Sequence, residues 1–198
     1  RVQHMAADVV AVIAAAGEAS AHVVGFSMGG MIAQQLVVDF PQRVRSLALL
    51  GTHSGGPWAV QAEPKVRQLL FDKATMSAED SLHAMRPYTY ARDTADALFD
   101  EDALVRLANQ PSARDYQAQL YALIGWSVYQ DLPRLRCPTL VMHGLQDRLI
   151  PPANATRTAQ RIAGAQLIEL PDASHWLMTD QNAQVIDALR AHIDAHTP

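Results

Sequence analysis

The chain has 198 residues, 49% of them hydrophobic, enough to bury one sizeable core with room for a smaller accessory subdomain. Its net charge of -4 and the lack of any basic run exclude nucleic acid as the expected partner. A single cysteine, Cys137, excludes an internal disulfide and a cysteine-based metal site, and no apolar stretch is long enough to span a bilayer.

A reducing compartment, the cytoplasm, is the location these features point to. Cys137 stands just before an apolar run and is expected to be a buried, inert thiol.

The elements read in chain order as follows. Val2, Met5, Val9, Val10, Val12 and Ile13 recur at mostly helical spacing, with Gly17 ending the pattern as a C-cap. "AHVVGF" (21–26) is short, apolar and β-branched, as a strand covered on both faces should be. Met31, Ile32, Gln35, Leu36 and Val38 then predict a helix up to Phe40, where Pro41 stops it. "VRSLALLG" (44–51) reads as a second buried strand.

Beyond Ser54 the alternation of strand and helix breaks, and apolar spacing is helical almost to Gln130. "SAED" (77–80) resembles a capping box, and Pro111 suits a first helical turn. Strands return with "PTLVMHG" (138–144) and "AQLIELP" (165–171), separated by a helical segment, and an amphipathic helix carrying Val185, Ile186, Leu189 and Ile193 closes the chain. The expected architecture is an α/β parallel sheet with crossover helices, interrupted by a helical insertion. Its expected parts are a core segment over 1–53, a helical lid over 54–130 and a second core segment over 131–198.

Chemistry concentrates in "HVVGFSMGGMIAQQL" (22–36), where Gly25, Phe26, Ser27, Met28 and Gly29 match G-x-S-x-G between a strand and a helix. A turn this tight leaves no room for side chains at Gly25 and Gly29, and it holds Ser27 strained at its apex with the hydroxyl pushed outward. The free N–H of Met28 and the positive end of the following helix both face an oxyanion formed there. A plain serine N-cap is the competing reading, but an N-cap does not need glycine on both sides.

A serine hydroxyl is a poor nucleophile unless a base takes its proton. His175, in "LPDASHW", follows the last strand and so opens at the same carboxyl edge of the sheet as Ser27. His143 and His53 also stand at strand ends and remain rivals. His22 begins a strand at the opposite edge, while His4, His83, His192 and His196 are expected on solvated helix faces. To orient the imidazole, Asp147 in "HGLQDRLIPP" is favoured over Asp172, whose place in "PDASH" also suits an ordinary turn.

The order Ser27, Asp147, His175, with an insertion between the second and third strands, resembles the α/β-hydrolase superfamily over essentially the whole chain. The blocks "HVVGFSMGGMIAQQLVVDFPQRVRSLALLGT", "LPRLRCPTLVMHGLQDRLIPP" and "IELPDASHWLMTDQ" look like those of its small esterase and lactonase branch, including enol-lactonase-like and methylesterase-like proteins. The resemblance implies a serine hydrolase acting on a small ester or lactone, with Ser27 as nucleophile, His175 as base and Asp147 as acid. The Met28 N–H would be one oxyanion donor. Trp126 resembles a pocket tryptophan of the lactonase-like branch, and His53, Trp58 and Trp176 are further candidates to line the cleft.

No metal or organic cofactor is called for, since neither an HExxH nor a GxGxxG pattern is present. The same three side chains would also serve a perhydrolase, an acyltransferase or a carbon–carbon bond hydrolase, and a non-catalytic binding protein or inactive fragment is the remaining alternative. Members of the superfamily begin with further strands and a loop that supplies a second oxyanion donor. The chain opens at Arg1 within a helical pattern, so it is expected to be the C-terminal part of a longer protein, with the N-terminal part of the sheet missing.

Overall fold

The structure, a computed structural model, describes residues 1–197; Pro198, the end of the third expected segment, lies outside the described residues. Four strands, β1 (Ala21–Phe26), β2 (Val44–Leu50), β3 (Thr139–Gly144) and β4 (Gln166–Leu170), form one parallel sheet in the order β1-β2-β3-β4. Their pairing runs in register, Val24 beside Ala48, Leu49 beside Val141 and Met142 beside Ile168.

Helices α1 (Val2–Ala15) and α2 (Met28–Asp39) flank β1 in the chain, and α7 (Ala153–Arg161) connects β3 to β4. Because side chains alternate along a strand, Leu47, Leu49 and Val141 share a core with Val2, Leu36 and Ala155 from those three helices. Ala48, Leu50, Leu140 and Met142 point the other way, onto Leu177 of α8 (Leu177–Asp180) and Val185 of α9 (Asn182–Asp194). Both faces of β2 and β3 are therefore covered along 47–50 and 140–142, which is why those runs are apolar without alternation.

β1 pairs with β2 alone among the described residues, as an expected edge of the sheet. Its coverage departs from expectation: Val24 is 47% exposed, so the strand is not covered on both faces. In α1 the buried line is Val2, Ala6 and Ile13, leaving Val12 at 68% exposure, so the apolar face is narrower than the valine count suggested. Ala16, with Gly17 in the left-handed region behind it, ends that helix.

Between β2 and β3 stand α3 (Pro64–Asp72), α4 (Ala78–Thr89), α5 (Asp96–Ala108) and α6 (Ala113–Ala122). Their cores are small and separate from the sheet: Ala62, Val66 and Tyr88 form one, and Leu82, Tyr90 and Phe99 another. The stems of this insertion clasp each other. Gly56 N–H donates to the Trp126 carbonyl at 3.1 Å, Val128 N–H donates to that of Ser54 at 3.0 Å, and a Cβ on Gly55 would sit 2.3 Å from the Trp126 oxygen.

The Ser77 hydroxyl accepts from Asp80 N–H at 3.1 Å, but the short aspartate reaches back only to that hydroxyl and not to the Ser77 backbone. Pro111 is not in a first helical turn: Ser112 caps α6, which places the proline one residue ahead of the cap. Cys137 is half-buried, and burial pushes its thiol above the ordinary range, consistent with an unreactive group.

Candidate active site

β1 ends where α2 begins, and Ser27 takes the single turn between them at φ 52, ψ -120, the one positive φ outside glycine among the described residues. Such a conformation costs about 1–3 kcal/mol and persists only when neighbours hold it. Here Ser27 N–H donates to the Leu50 carbonyl at 2.9 Å, and its own carbonyl accepts from the Thr52 hydroxyl at 2.7 Å.

The glycines divide differently from the expectation. A Cβ on Gly25 would lie 2.6 Å from the Gly29 carbonyl, so β1 can approach α2 only without a side chain there. Gly29 itself has open space at its Cβ position, whereas Gly30 meets Thr52 at 2.6 Å. Gly25→Ala is expected to lower stability by about 1–3 kcal/mol, and Gly29→Ala to be neutral or to raise it by up to about 1 kcal/mol; thermal unfolding of both variants checks this.

Three of the expected residues meet. His175 Nε2 lies 3.0 Å from Ser27 Oγ, and His175 Nδ1 lies 2.8 Å from Asp147 Oδ2. The other carboxylate oxygen, Oδ1, accepts from Leu149 N–H at 2.9 Å and Ile150 N–H at 2.8 Å. Burial alone pushes the Asp147 carboxyl up, but the charge of His175 and hydrogen bonds from His143 and His175 outweigh it and hold the group below its ordinary value. Asp172 is exposed and is not the partner of His175.

Main-chain contacts fix the loops that carry these groups. Trp176 N–H donates to the Thr89 carbonyl at 2.9 Å, and Ser174 N–H to Asp180 Oδ2 at 2.7 Å. Asp180 also accepts from Ala91 N–H and the Thr94 hydroxyl, so one carboxylate joins the histidine loop to the end of α4. Met28 N–H, at the start of α2, donates to no backbone carbonyl among the described residues.

A cleft of about 450 Å³ opens over this centre, lined in part by Ser27, Met28, His53, His175 and Trp176. Trp126 is not in its lining. It is 6% exposed, and its indole N–H donates to Gln35 Oε1 on α2 at 2.8 Å, which makes it part of the sheet's core. Trp58 is also outside the lining: the turn through Gly55 and Gly56 carries it to Tyr129, on which it stacks with centroids 5.1 Å apart.

The alpha/beta hydrolase fold family matches residues 1–181. The chain belongs to that family. It is 31% identical over 167 residues to a poly(3-hydroxyalkanoate) depolymerase of Ectopseudomonas oleovorans, a match covering 82% of this chain and 57% of the relative. It is 26% identical to a pimeloyl-[acyl-carrier protein] methyl ester esterase of Chromobacterium violaceum, over 95% of this chain and 76% of the relative. An esterase structure from Exiguobacterium antarcticum superposes with a TM-score of 0.81 at 22% identity, covering 96% of this chain and 72% of that one, and so shares its fold. The chain thus spans little more than half the length of the depolymerase it matches.

The other histidines of this alpha/beta hydrolase fold chain take different places. His143 is fully buried; its Nε2 lies 2.8 Å from the Ile150 carbonyl and 3.2 Å from Asp147 Oδ2. A carbonyl only accepts, so Nε2 carries hydrogen, and His143 braces Asp147 at the same oxygen that meets His175. His192 is buried against expectation, and its Nε2 has no partner among the described residues. His22 bonds the Ser46 hydroxyl at 2.8 Å, away from the cleft.

His53 lines the cleft, and its Nδ1 accepts from Gly55 N–H at 3.0 Å. Burial, helped by the nearby His143, lowers its pKa from 6.5 to about 4. The unfolded chain therefore binds a proton that the folded chain refuses between those two values, and stability falls as pH drops from 6.5 toward about 4. The expected loss is about 2–3 kcal/mol, and His53→Gln flattens that part of the profile in urea unfolding.

Sequence reasoning missed the bracing role of His143 and the closeness required at Gly144, where a Cβ would stand 2.3 Å from the Ser174 carbonyl. A glycine between a strand and the acid loop was the available signal. Among the described residues no group of three or more His, Cys, Asp and Glu is placed to hold a metal ion, and no helix is long and apolar enough to cross a membrane.

Proposed function

We propose that the chain is a serine hydrolase that cleaves a carboxylic ester or lactone through an acyl-enzyme intermediate. The observation that carries this reading is the unbroken hydrogen-bonded run from Asp147 Oδ2 through both nitrogens of His175 to Ser27 Oγ, at 2.8 and 3.0 Å. The depolymerase and methyl ester esterase among its relatives support the same class.

In this reading His175 Nε2 takes the Ser27 proton as Oγ attacks the carbonyl carbon. Charge developing on the carbonyl oxygen is met by Met28 N–H and the positive end of α2, an arrangement worth roughly 2.7–4 kcal/mol per donor removed. His175 then hands its proton to the leaving alcohol, and a water deprotonated by the same nitrogen releases the acid. Asp147 keeps hydrogen on Nδ1 and stabilises the imidazolium. The helices from Pro64 to Ala122 act as the lid through which substrate enters.

A fluorophosphonate probe tests this directly. Stoichiometric labelling that maps to Ser27 and disappears in Ser27→Ala supports the reading, and a folded chain that takes up no label overturns it.

A further inference from the structure

On a chain whose net charge is -4, the cleft over Ser27 carries Arg67, Lys73 and Arg106, and no Asp or Glu among its lining residues. Four arginines elsewhere are answered by carboxylates: Arg45 pairs with Glu18, Arg86 with Asp96, Arg134 with Asp131 and Arg148 with Glu63. Lys73 and Arg106 form no ion pair among the described residues.

They come from different elements, Lys73 just after α3 and Arg106 within α5, and line the same cleft. Burial, and then the charge of Arg106, holds the Lys73 ammonium below the usual lysine range. Aromatic rings hold both in place. Lys73 Nζ sits 5.0 Å from the centre of the Tyr116 ring, and the Arg106 guanidinium 4.3 Å from that of Trp176.

Arg106 Nη1 donates to the Tyr90 hydroxyl at 3.1 Å, and Tyr90 in turn donates to Asp102. That leaves most of the guanidinium's five donors free, and Asp102 offsets part of its charge from behind. Trp176 also packs on Phe26 with ring centroids 4.9 Å apart, beside Ser27, so the cations belong to the same cleft as the hydroxyl. A second cavity of about 560 Å³ shares Lys73, Arg106 and Tyr116 with the first, which puts the pair where the two spaces adjoin.

We propose that Lys73 and Arg106 form an anion-binding subsite, and that the substrate is an ester whose non-reacting arm ends in a carboxylate. A planar carboxylate fits the free guanidinium fork, and its single charge suits a cation pair already partly offset by Asp102. Only the identity of the bond cut rests on the proposed role of Ser27; binding of the anion does not.

The test separates the two. Titration calorimetry on the full chain compares succinamate, adipamate and suberamate, each a carboxylate with an amide in place of the ester, with the corresponding neutral diamides. At least one carboxylate is expected to bind about tenfold or more tightly than its diamide. Lys73→Met and Arg106→Gln are each expected to abolish that preference, Lys73→Arg to keep it, and added salt to erode it. Equal binding of acids and diamides overturns the subsite, as does a preference that survives in the double variant. So does tighter binding of a butyl phosphate, which would reassign the pair to phosphate.

If the variants fail to fold, the parent's charge preference and its salt dependence decide alone. A chain that hydrolyses p-nitrophenyl hexanoate without any charge preference keeps the hydrolase and loses the subsite. One that binds adipamate selectively but turns over no ester keeps the subsite and loses the hydrolase.

Discussion

Ser27→Ala is expected to lower kcat on an activated ester by roughly 10⁴–10⁶-fold while leaving the far-ultraviolet dichroism of the chain unchanged. The hydroxyl lies 3.0 Å from His175 Nε2 and is the group at the turn that would carry an acyl group in the proposed reaction. The backbone there is strained at φ 52 whichever L residue occupies it, so alanine removes the hydroxyl without relieving the turn. Ser27→Gly separates the two effects: it is equally inactive, yet more stable by about 1–2 kcal/mol because glycine accepts that conformation freely. Turnover of p-nitrophenyl butyrate together with urea unfolding reads both quantities. Undiminished activity in the alanine variant ends the assignment of Ser27.

Asp147→Asn is expected to cost about 10⁴-fold in kcat, with KM little changed. Oδ1 must go on accepting from Leu149 and Ile150 N–H, which directs the new NH2 group to the place of Oδ2. There it faces His175 Nδ1, which must then become the acceptor, and the hydrogen moves to Nε2. A nitrogen that already carries hydrogen cannot take one from Ser27. Stability also responds in a defined window: because the folded carboxyl lies below its ordinary 3.8, its contribution is complete above that value and vanishes as pH falls through the lower folded pKa. Asparagine abolishes this acid limb and leaves the His53 limb, between 6.5 and about 4, untouched.

Much of this was legible in the order of residues, for a physical reason. Strands β2 and β3 are buried on both faces and helix α2 starts at a glycine-flanked turn, so local composition and tertiary role coincide there. Ser27, Asp147 and His175 follow the carboxyl ends of different strands, and a parallel sheet gathers those ends at one rim.

What was hidden depended on packing between segments distant in the chain. Nothing local to Trp126 shows that Gln35, 91 positions away, takes its indole N–H and turns it into the core. The reversal between Gly29 and Gly30 depends on where Thr52 lies, and the burial of His192 on how α9 meets β2. Lys73 and Arg106 likewise line one cleft from separate segments of the insertion, which no spacing in the sequence announces.

The clasp made by Ser54, Gly56, Trp126 and Val128 means that the polypeptide leaves the sheet and rejoins it at nearly one point. Everything beyond can be regarded as an exchangeable cassette: grafting a different helical run between those two cross-links would present a new ceiling to the same hydroxyl without disturbing strand order.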